Sequence, residues 1–514
     1  MKEMMPVDQK PQTRSLTHQA VSGTVWSTLA TIGKQLLTFA SLATVARMLG
    51  PGAYGVMGMA ALVIVFINNF RDLGTGVAII QKPVVSVRLL SSLFWVNVAI
   101  GGAMCLLVAA TAPLAAVFFH TPELSPVLRV LSLSFFIASC GVVHNALLNR
   151  EMAFRTIAAI DLTTALLTYL VALVCALKGL GVWSLVFANI ANSAASTVGY
   201  WLAERFRPRF SFDKGEIASI ARFSSNLSAF GLVNYAYRNA DNVVVGKMLG
   251  SAALGFYSMA YNMMLTPLQN ISAVIGQVLF PAFSRIQDDD ERFRHAYVRG
   301  CMLIGLITFP VMAGLCVTAD PVIRALLGQK WLGAIPIFQI LAPIGLFQSI
   351  QTTTGIIFQA KGRTDWMLRW GLCVLAVCLP AFLIGVRFGV VGVAAGYACA
   401  YFGLLVYPGF AIPFHLIGLR FRDFARALLP QLALTILMAA VCFGWLRFLD
   451  YLSVDNPWMR LLSTSALGAV VYVAGLLGLR MQVIDYLGEV LGSSENRLIA
   501  RTAKFLRARG SGVH

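Results

Sequence analysis

Only 62 of the 514 residues are charged (40 Lys and Arg, 22 Asp and Glu), or 12%, about half the roughly 25% of a typical soluble domain. With 58% hydrophobic residues and a mean hydropathy of +0.76, the chain holds more apolar surface than a water-soluble fold can hide, which excludes a soluble enzyme. The net charge of +18 resides in the connections between apolar stretches, so it does not mark a nucleic-acid partner.

Residues 1–19 lack the short apolar core and small-residue cleavage site of a secretory signal and read as a cytoplasmic N-terminal segment. A spanning helix needs about 20 mostly apolar residues. Fourteen stretches qualify in chain order: 20–46, 54–71, 89–118, 127–148, 154–177, 180–204, 222–246, 254–282, 296–318, 334–358, 366–386, 391–413, 427–446 and 458–480. The expected fold is therefore an all-α integral membrane protein with 14 transmembrane helices. Of the 40 Lys and Arg, 29 fall in segments on the side of the N-terminus and nine on the other, leaving Lys34 and Arg238 inside spans. That asymmetry is the positive-inside pattern, and it predicts two cytoplasmic termini.

An internal repeat is legible at an offset of 200. RMLGPGAYGVMGMA at 47–60 and KMLGSAALGFYSMA at 247–260 share seven of fourteen residues, Gly50/Gly250 and Gly55/Gly255 among them. A weaker echo at an offset of 211 links Arg150 to Lys361 and Gly181-Val182 to Gly392-Val393. The repeat divides the chain into a first lobe at 20–204 (spans 1–6), an inter-lobe cytoplasmic loop at 205–221, a second lobe at 222–413 (spans 7–12), two appended spans at 427–480 and a tail at 481–514. Six spans per half preserve orientation, so the lobes are parallel, pseudo-symmetric repeats. Transporters built this way bind substrate between the halves near the midplane.

Lys34 lies about midway along span 1, where an unpaired charge costs at least ~2.5–3.5 kcal/mol. Ser27, Thr31, Lys34, Thr38 and Ser41 recur at steps of 4, 3, 4 and 3, which is one face of a helix. The offset of 200 carries Thr31, Lys34, Thr38 and Ser41 onto Gly231, Asn234, Arg238 and Asp241. Matched inward faces would line a central cavity with cations. In the competing reading, Arg238 and Asp241 form an i, i+3 ion pair that locks helix packing, while Lys34 snorkels to one surface. Asp161, with Thr164 and Thr168 on span 5, forms a shorter polar stripe that would balance the cations, hold a coupling ion or simply join helices by hydrogen bonds. Asn68, Asn69, Arg71 and Asp72 at the end of span 2, with Gln269 and Asn270 in the related region of span 8, read as ordinary interfacial polarity or, for Asn69, Arg71, Gln269 and Asn270, as a candidate cytoplasmic entrance.

The nine cysteines sit in apolar stretches with no CxxC spacing, and the six histidines form no HxxxH pair, so neither metal nor cofactor is expected. There is no GxxxxGK[ST] phosphate loop, so work must come from a gradient and the chain reads as a secondary transporter, not an enzyme. In the tail, SSENRLIARTAKFLRARGSGVH, an apolar face of Leu498, Ile499, Phe505 and Leu506 opposes Arg497, Lys504 and Arg507. That is a basic amphipathic helix suited to the anionic inner leaflet.

The run NADNVVVGKMLGSAALGFYSMAYNMMLTPLQNISAVIGQVLFPAFSRIQDD at 239–288, with ARMLGPGAYGVMGMA at 46–60, LLNREMAF at 147–154 and GLGVWSLV at 179–186, resembles the polysaccharide exporters of the multidrug/oligosaccharidyl-lipid/polysaccharide flippase superfamily, and among them the colanic-acid and teichuronic-acid type. The resemblance implies two six-helix lobes and a flippase in the bacterial inner membrane. Its substrate would be an undecaprenyl-pyrophosphate-linked oligosaccharide, moved by alternating access for exopolysaccharide or lipopolysaccharide biosynthesis, with polymerase or export machinery as partners. Lys34 and Arg238 would then serve the pyrophosphate, with Asp241 as partner. The rival readings are a cation-coupled drug or metabolite antiporter of the same superfamily, which favours acidic cavity residues; a polytopic polymerase or ligase, which wants larger outer loops; and a membrane scaffold.

Overall fold

The computed structural model describes residues 16–71, 76, 79–80, 85–210, 235, 238–268 and 289–479. Its elements are helical, as they must be in hydrocarbon, where every backbone N–H and C=O needs a partner within the segment. Nine helices among the described residues are long and apolar enough to cross a membrane, or ten if one bent pair counts as a span. The chain divides into two compact units, Met1–Gly255 and Phe256–His514. The expected tail at 481–514 lies outside the described residues, as do residues 1–15 and the 211–221 part of the inter-lobe loop.

In the first unit, α1 (Leu16–Ser41) runs through a π-helical turn, Leu42–Ala46, to Leu49. At Gly50 the backbone takes φ 84°, a left-handed conformation that glycine adopts without the Cβ penalty. Then follow α2 (Pro51–Arg71), α3 (Val87–Phe118), α4 (Leu124–Ser139), α5 (Val142–Arg150), α6 (Phe154–Leu177) and α7 (Val182–Ala203). Helix α8 (Arg238–Leu268) begins in this unit and carries Gly250, also at φ 84°. The repeated motif is thus a repeated backbone conformation. It is a repeated contact too: a Cβ on Gly55 would fall 1.7 Å from the Ser251 carbonyl oxygen, and one on Gly255 2.0 Å from that of Pro51. Each glycine lets its helix touch the backbone that opens the other.

Helices α4 and α5 bend by 42° with no proline at the break. The carbonyls freed near the break find partners on α7: Thr197 Oγ1 donates to Ile137 O at 3.0 Å and Trp201 Nε1 to Cys140 O at 2.8 Å. Buried His144 stacks on Trp201, its Nε2 3.1 Å from Phe206 O. The bend is held by side-chain chemistry that hydropathy alone does not register.

The second unit continues with α9 (Asp290–Val317), the short α10 (Ala319–Leu326), α11 (Ala334–Gln351), α12 (Thr354–Ala360), α13 (Thr364–Gly385), α14 (Gly389–Ala400), a π-helical turn Tyr401–Leu405, α15 (Val406–His415), α16 (Phe421–Tyr451) and α17 (Pro457–Gly478). Its start mirrors the first unit. Asp289 caps α9 by accepting from Arg292 N, as Ser86 caps α3 by accepting from Leu89 N, both at 3.0 Å, and each helix carries an internal proline, Pro310 and Pro113. The broken pair α11/α12 likewise corresponds to α4/α5. The second echo shifts register further on: the left-handed glycine that opens a helix after Gly181 (φ 56°) is Gly389 (φ 77°), whereas Gly392 is not left-handed. A Gly-Val pair occurs at both 389 and 392, and only the backbone distinguishes them.

Candidate functional site

Helix α1 is exposed on two opposite sides. At 100° per residue, Thr31, Lys34 and Thr38 share an arc of about 60°, while Ile32, Leu36 and Phe39 lie roughly opposite. The apolar three are 51, 65 and 49% exposed, a surface suited to lipid. Thr31 and Thr38 are exposed as well, and Lys34 between them keeps 43% of its side-chain surface. Ser41 on the same stripe is half-buried. A polar strip and an exposed apolar strip on one helix suit two different surroundings, hydrocarbon on one side and water on the other, although α1 is not among the nine helices that qualify as spans.

Helix α6 packs against α1 on the flank of this strip. Gly33 admits it closely, since a Cβ there would fall 2.6 Å from Leu162 Cδ1. The neighbouring residue, Asp161, accepts a hydrogen bond at Oδ2 from Lys34 Nζ. Asp161 retains 30% exposure, so the pair is partly open. Asp161 therefore meets Lys34 as its ion-pair partner, while Thr164 turns inward, 5% exposed, and Thr168 Oγ1 donates to Asn192 Oδ1 on α7 at 3.3 Å. The polar strip continues onto α7, where Asn192, Ser196 and Tyr200 follow at steps of four, Tyr200 lying within electrostatic reach of Asp161. Sequence reading passed over this last stripe, although its spacing was available.

Arg238, on α8, is exposed. Asp241, one turn on, is 4% exposed, and its Oδ1 accepts from the backbone N–H of Asn242 at 2.7 Å. Among the described residues no ion pair joins Arg238 to Asp241, which is the i, i+3 lock of the competing reading. Asn234, Gln269 and Asn270 lie outside the described residues. Asn69 and Arg71 belong to the last turn of α2, but their side chains are outside the described set. The structure thus brings Thr31, Lys34, Thr38 and Asp161 together, with Ser41 further along the same face.

The turn after α3 and the α8 segment around Gly250 enclose an open groove of about 650 Å³, lined by His120, Thr121, Glu123, Lys247 and Ser251 among others. Lys247 Nζ is engaged there, donating to Phe118 O at 2.8 Å and lying 3.9 Å from the centre of the Phe118 ring.

Repeated helical units and a charge pair beside an open polar strip define a multi-pass membrane protein equipped to handle polar cargo. Residues 44–336 match the family described as polysaccharide biosynthesis protein, and the chain belongs to that family. It is 28% identical over 439 residues to the lipopolysaccharide biosynthesis protein WzxC of Escherichia coli (strain K12), covering 84% of this chain and 88% of that one. It is 27% identical over 463 residues to the teichuronic acid biosynthesis protein TuaB of Bacillus subtilis (strain 168), covering 89% and 95%. In fold it is similar to the lipid II flippase MurJ in an inward closed conformation, with a TM-score of 0.71 at 17% identity over 90% of this chain and 100% of that one.

Proposed function

We propose that this protein is a flippase that carries an undecaprenyl-pyrophosphate-linked oligosaccharide across the bacterial inner membrane, from the cytoplasmic to the outer leaflet, for surface polysaccharide biosynthesis. The observation that carries the reading is Lys34, a half-exposed cation on a helix whose opposite face is apolar and exposed. A cation so placed suits an anionic group that travels at membrane depth. The lipid tail stays in the bilayer, and the charged, hydroxyl-rich head crosses through a wet cleft, avoiding the penalty of stripping a pyrophosphate of water. Thr31, Thr38 and Ser41 would meet hydroxyls, and Asp161 would balance Lys34 while the site is empty. Arg238 would add a second cation, with Asn234 and Asp241 beside it; Asn69, Arg71, Gln269 and Asn270 would receive the substrate at the cytoplasmic mouth.

Both termini are assigned to the cytoplasm on the distribution of Lys and Arg, and the tail after residue 481 to the anionic inner leaflet. A polymerase or export complex would take up the product. The family relationship supports this class of activity, and similarity to TuaB suits an acidic glycan.

Complementation of a panel of bacterial strains, each lacking one defined flippase, tests the proposal when the accumulated lipid-linked sugar is identified. Restored surface polysaccharide in one strain, with loss of its accumulated precursor, is the expected result. Failure across the panel despite normal membrane levels would contradict it.

A further inference from the structure

We propose that Asp161 is the release element of the site: its carboxylate competes with the substrate's pyrophosphate for Lys34, so that binding breaks the ion pair and re-forming the pair expels the head group. The proposal rests on the reading that Lys34 receives the anionic head. Three observations lead to it. First, the pair spans two helices, Lys34 on α1 and Asp161 on α6, 127 residues apart, and each residue keeps part of its surface open, 43% and 30%. An incoming anion can approach the ammonium without dismantling packing. Second, an ammonium offers three N–H donors, and among the described residues Asp161 is the one acidic group bonded to it. Third, the nearby cation on α6, Arg155, lies over the Trp26 ring at 5.0 Å, one turn or more from Asp161, so the freed carboxylate has no ready substitute among the described charged groups.

The charge arithmetic explains why such an arrangement suits a carrier. A lone lysine in a half-dehydrated cleft would hold a pyrophosphate tightly and turn over slowly, because interactions that stabilise the bound state deepen the well from which the substrate must leave. A carboxylate tethered beside the lysine is an anion at high effective concentration. It weakens the complex and speeds departure by the same factor. Asp161 acts through Lys34 and is therefore a positioning residue for transport, with no covalent role.

Purified full-length protein in nanodiscs, titrated with undecaprenyl pyrophosphate, separates the possibilities when affinity and vesicle transport are measured on the same variants. Asp161→Asn is expected to tighten binding by about two- to fivefold, the range of a partly exposed ion pair, and to slow transport at saturating lipid. Asp161→Glu, which keeps the competing charge, should restore both values towards native. In the Lys34→Gln background, Asp161→Asn should change neither, since a competitor with nothing to compete for has no effect. Should Asp161→Asn fail to fold, judged by its melting temperature, Asp161→Ser serves in its place. Unchanged or weaker binding in the folded Asp161 variants, while Lys34→Gln still loses binding, overturns the exchange and leaves the cation site standing. Native binding by Lys34→Gln overturns both.

Discussion

The two units place polar side chains on their helices in different ways. In the first unit the charged pair Lys34–Asp161 is partly open, with exposed hydroxyls on the same strip of α1. In the second, several neutral side chains pair between helices, buried or half-buried, although the buried Gln431 amide and Thr464 hydroxyl have no hydrogen-bond partner among the described residues. Tyr297 Oη and Thr353 Oγ1 are 2.9 Å apart, as are Thr308 Oγ1 and Ser349 Oγ, while Gln348 Nε2 donates to Tyr397 at 2.6 Å and Tyr401 to Gln351 Oε1 at 2.7 Å. The lesson is that polarity at membrane depth has two uses. Neutral hydrogen bonds between helices supply packing specificity at a modest stability gain, whereas an open charge is retained against an insertion penalty and so points to cargo.

The most severe way to break this contrast is to move a charge into the second unit. Thr308 is fully buried against Ser349, and Thr308→Lys leaves an ammonium with no acidic partner beside it among the described residues, a penalty of at least ~2.5–3.5 kcal/mol. Folded protein recovered from membranes, measured by fluorescence-detected size exclusion, should fall to a small fraction of native; a native yield would show that the interior of this unit is wetter than its hydrogen bonding implies.

A smaller effect, confined to transport, is expected for Arg238→Ala. A charge-assisted contact is worth about 1.5–3 kcal/mol, so export should drop roughly tenfold or more, with Arg238→Lys retaining part. Because no ion pair joins Arg238 to Asp241 among the described residues, adding Asp241→Ala should not rescue it. Rescue in that double variant would return Arg238 to a packing role.

Tyr297→Phe sharpens the comparison from the other side. It removes the bond between Tyr297 and Thr353, whose hydroxyl keeps its bond to Ile350 O, and should lower stability by about 0.5–1.5 kcal/mol, read as a fall in melting temperature, while transport per folded molecule stays at the native rate. Loss of transport at unchanged stability would mean that the second unit's neutral network touches substrate.

The smallest effect lies at the turn after α5. Burial, and then the charge of Glu204, raise the Glu151 carboxyl above its ordinary value. The ionised form is disfavoured in the folded state, so stability is lost as pH rises from the unfolded value through the folded one. Glu151→Gln should therefore raise the melting temperature slightly at pH 7 and leave it unchanged at a pH well below the ordinary carboxyl value, where Glu151 is protonated in both states. An equal gain at both pH values would assign the effect to something other than charge.

The membrane class, the repeat and the polar strip of α1 were legible because each is written in local pattern. Gly50 and Gly250 keep their identity since the backbone there is left-handed, and Thr31, Lys34 and Thr38 announce a face by their spacing. The partner of Lys34 was not legible as such. Asp161 stood out as a polar residue on span 5, but the contact joins residues 127 apart in sequence, and no spacing rule reaches that far. The bend between α4 and α5 escaped for a related reason: its freed carbonyls are satisfied by Thr197 and Trp201, residues that look unremarkable in an apolar run. The register of the second echo failed at Gly392 because two Gly-Val pairs compete, and only the φ of Gly389 settles which one opens the helix. Fourteen apolar stretches were expected, and the nine or ten qualifying helices cover the described residues alone.

The central claim, that an open cation in the first unit holds an anionic lipid-linked head group, is tested most directly by transbilayer movement of undecaprenyl-pyrophosphate oligosaccharide in reconstituted vesicles, compared for native protein, Lys34→Arg and Lys34→Gln at matched amounts of folded protein. The account predicts that Lys34→Arg keeps a substantial part of the native rate and that Lys34→Gln falls by about tenfold or more. A native rate in Lys34→Gln would contradict it.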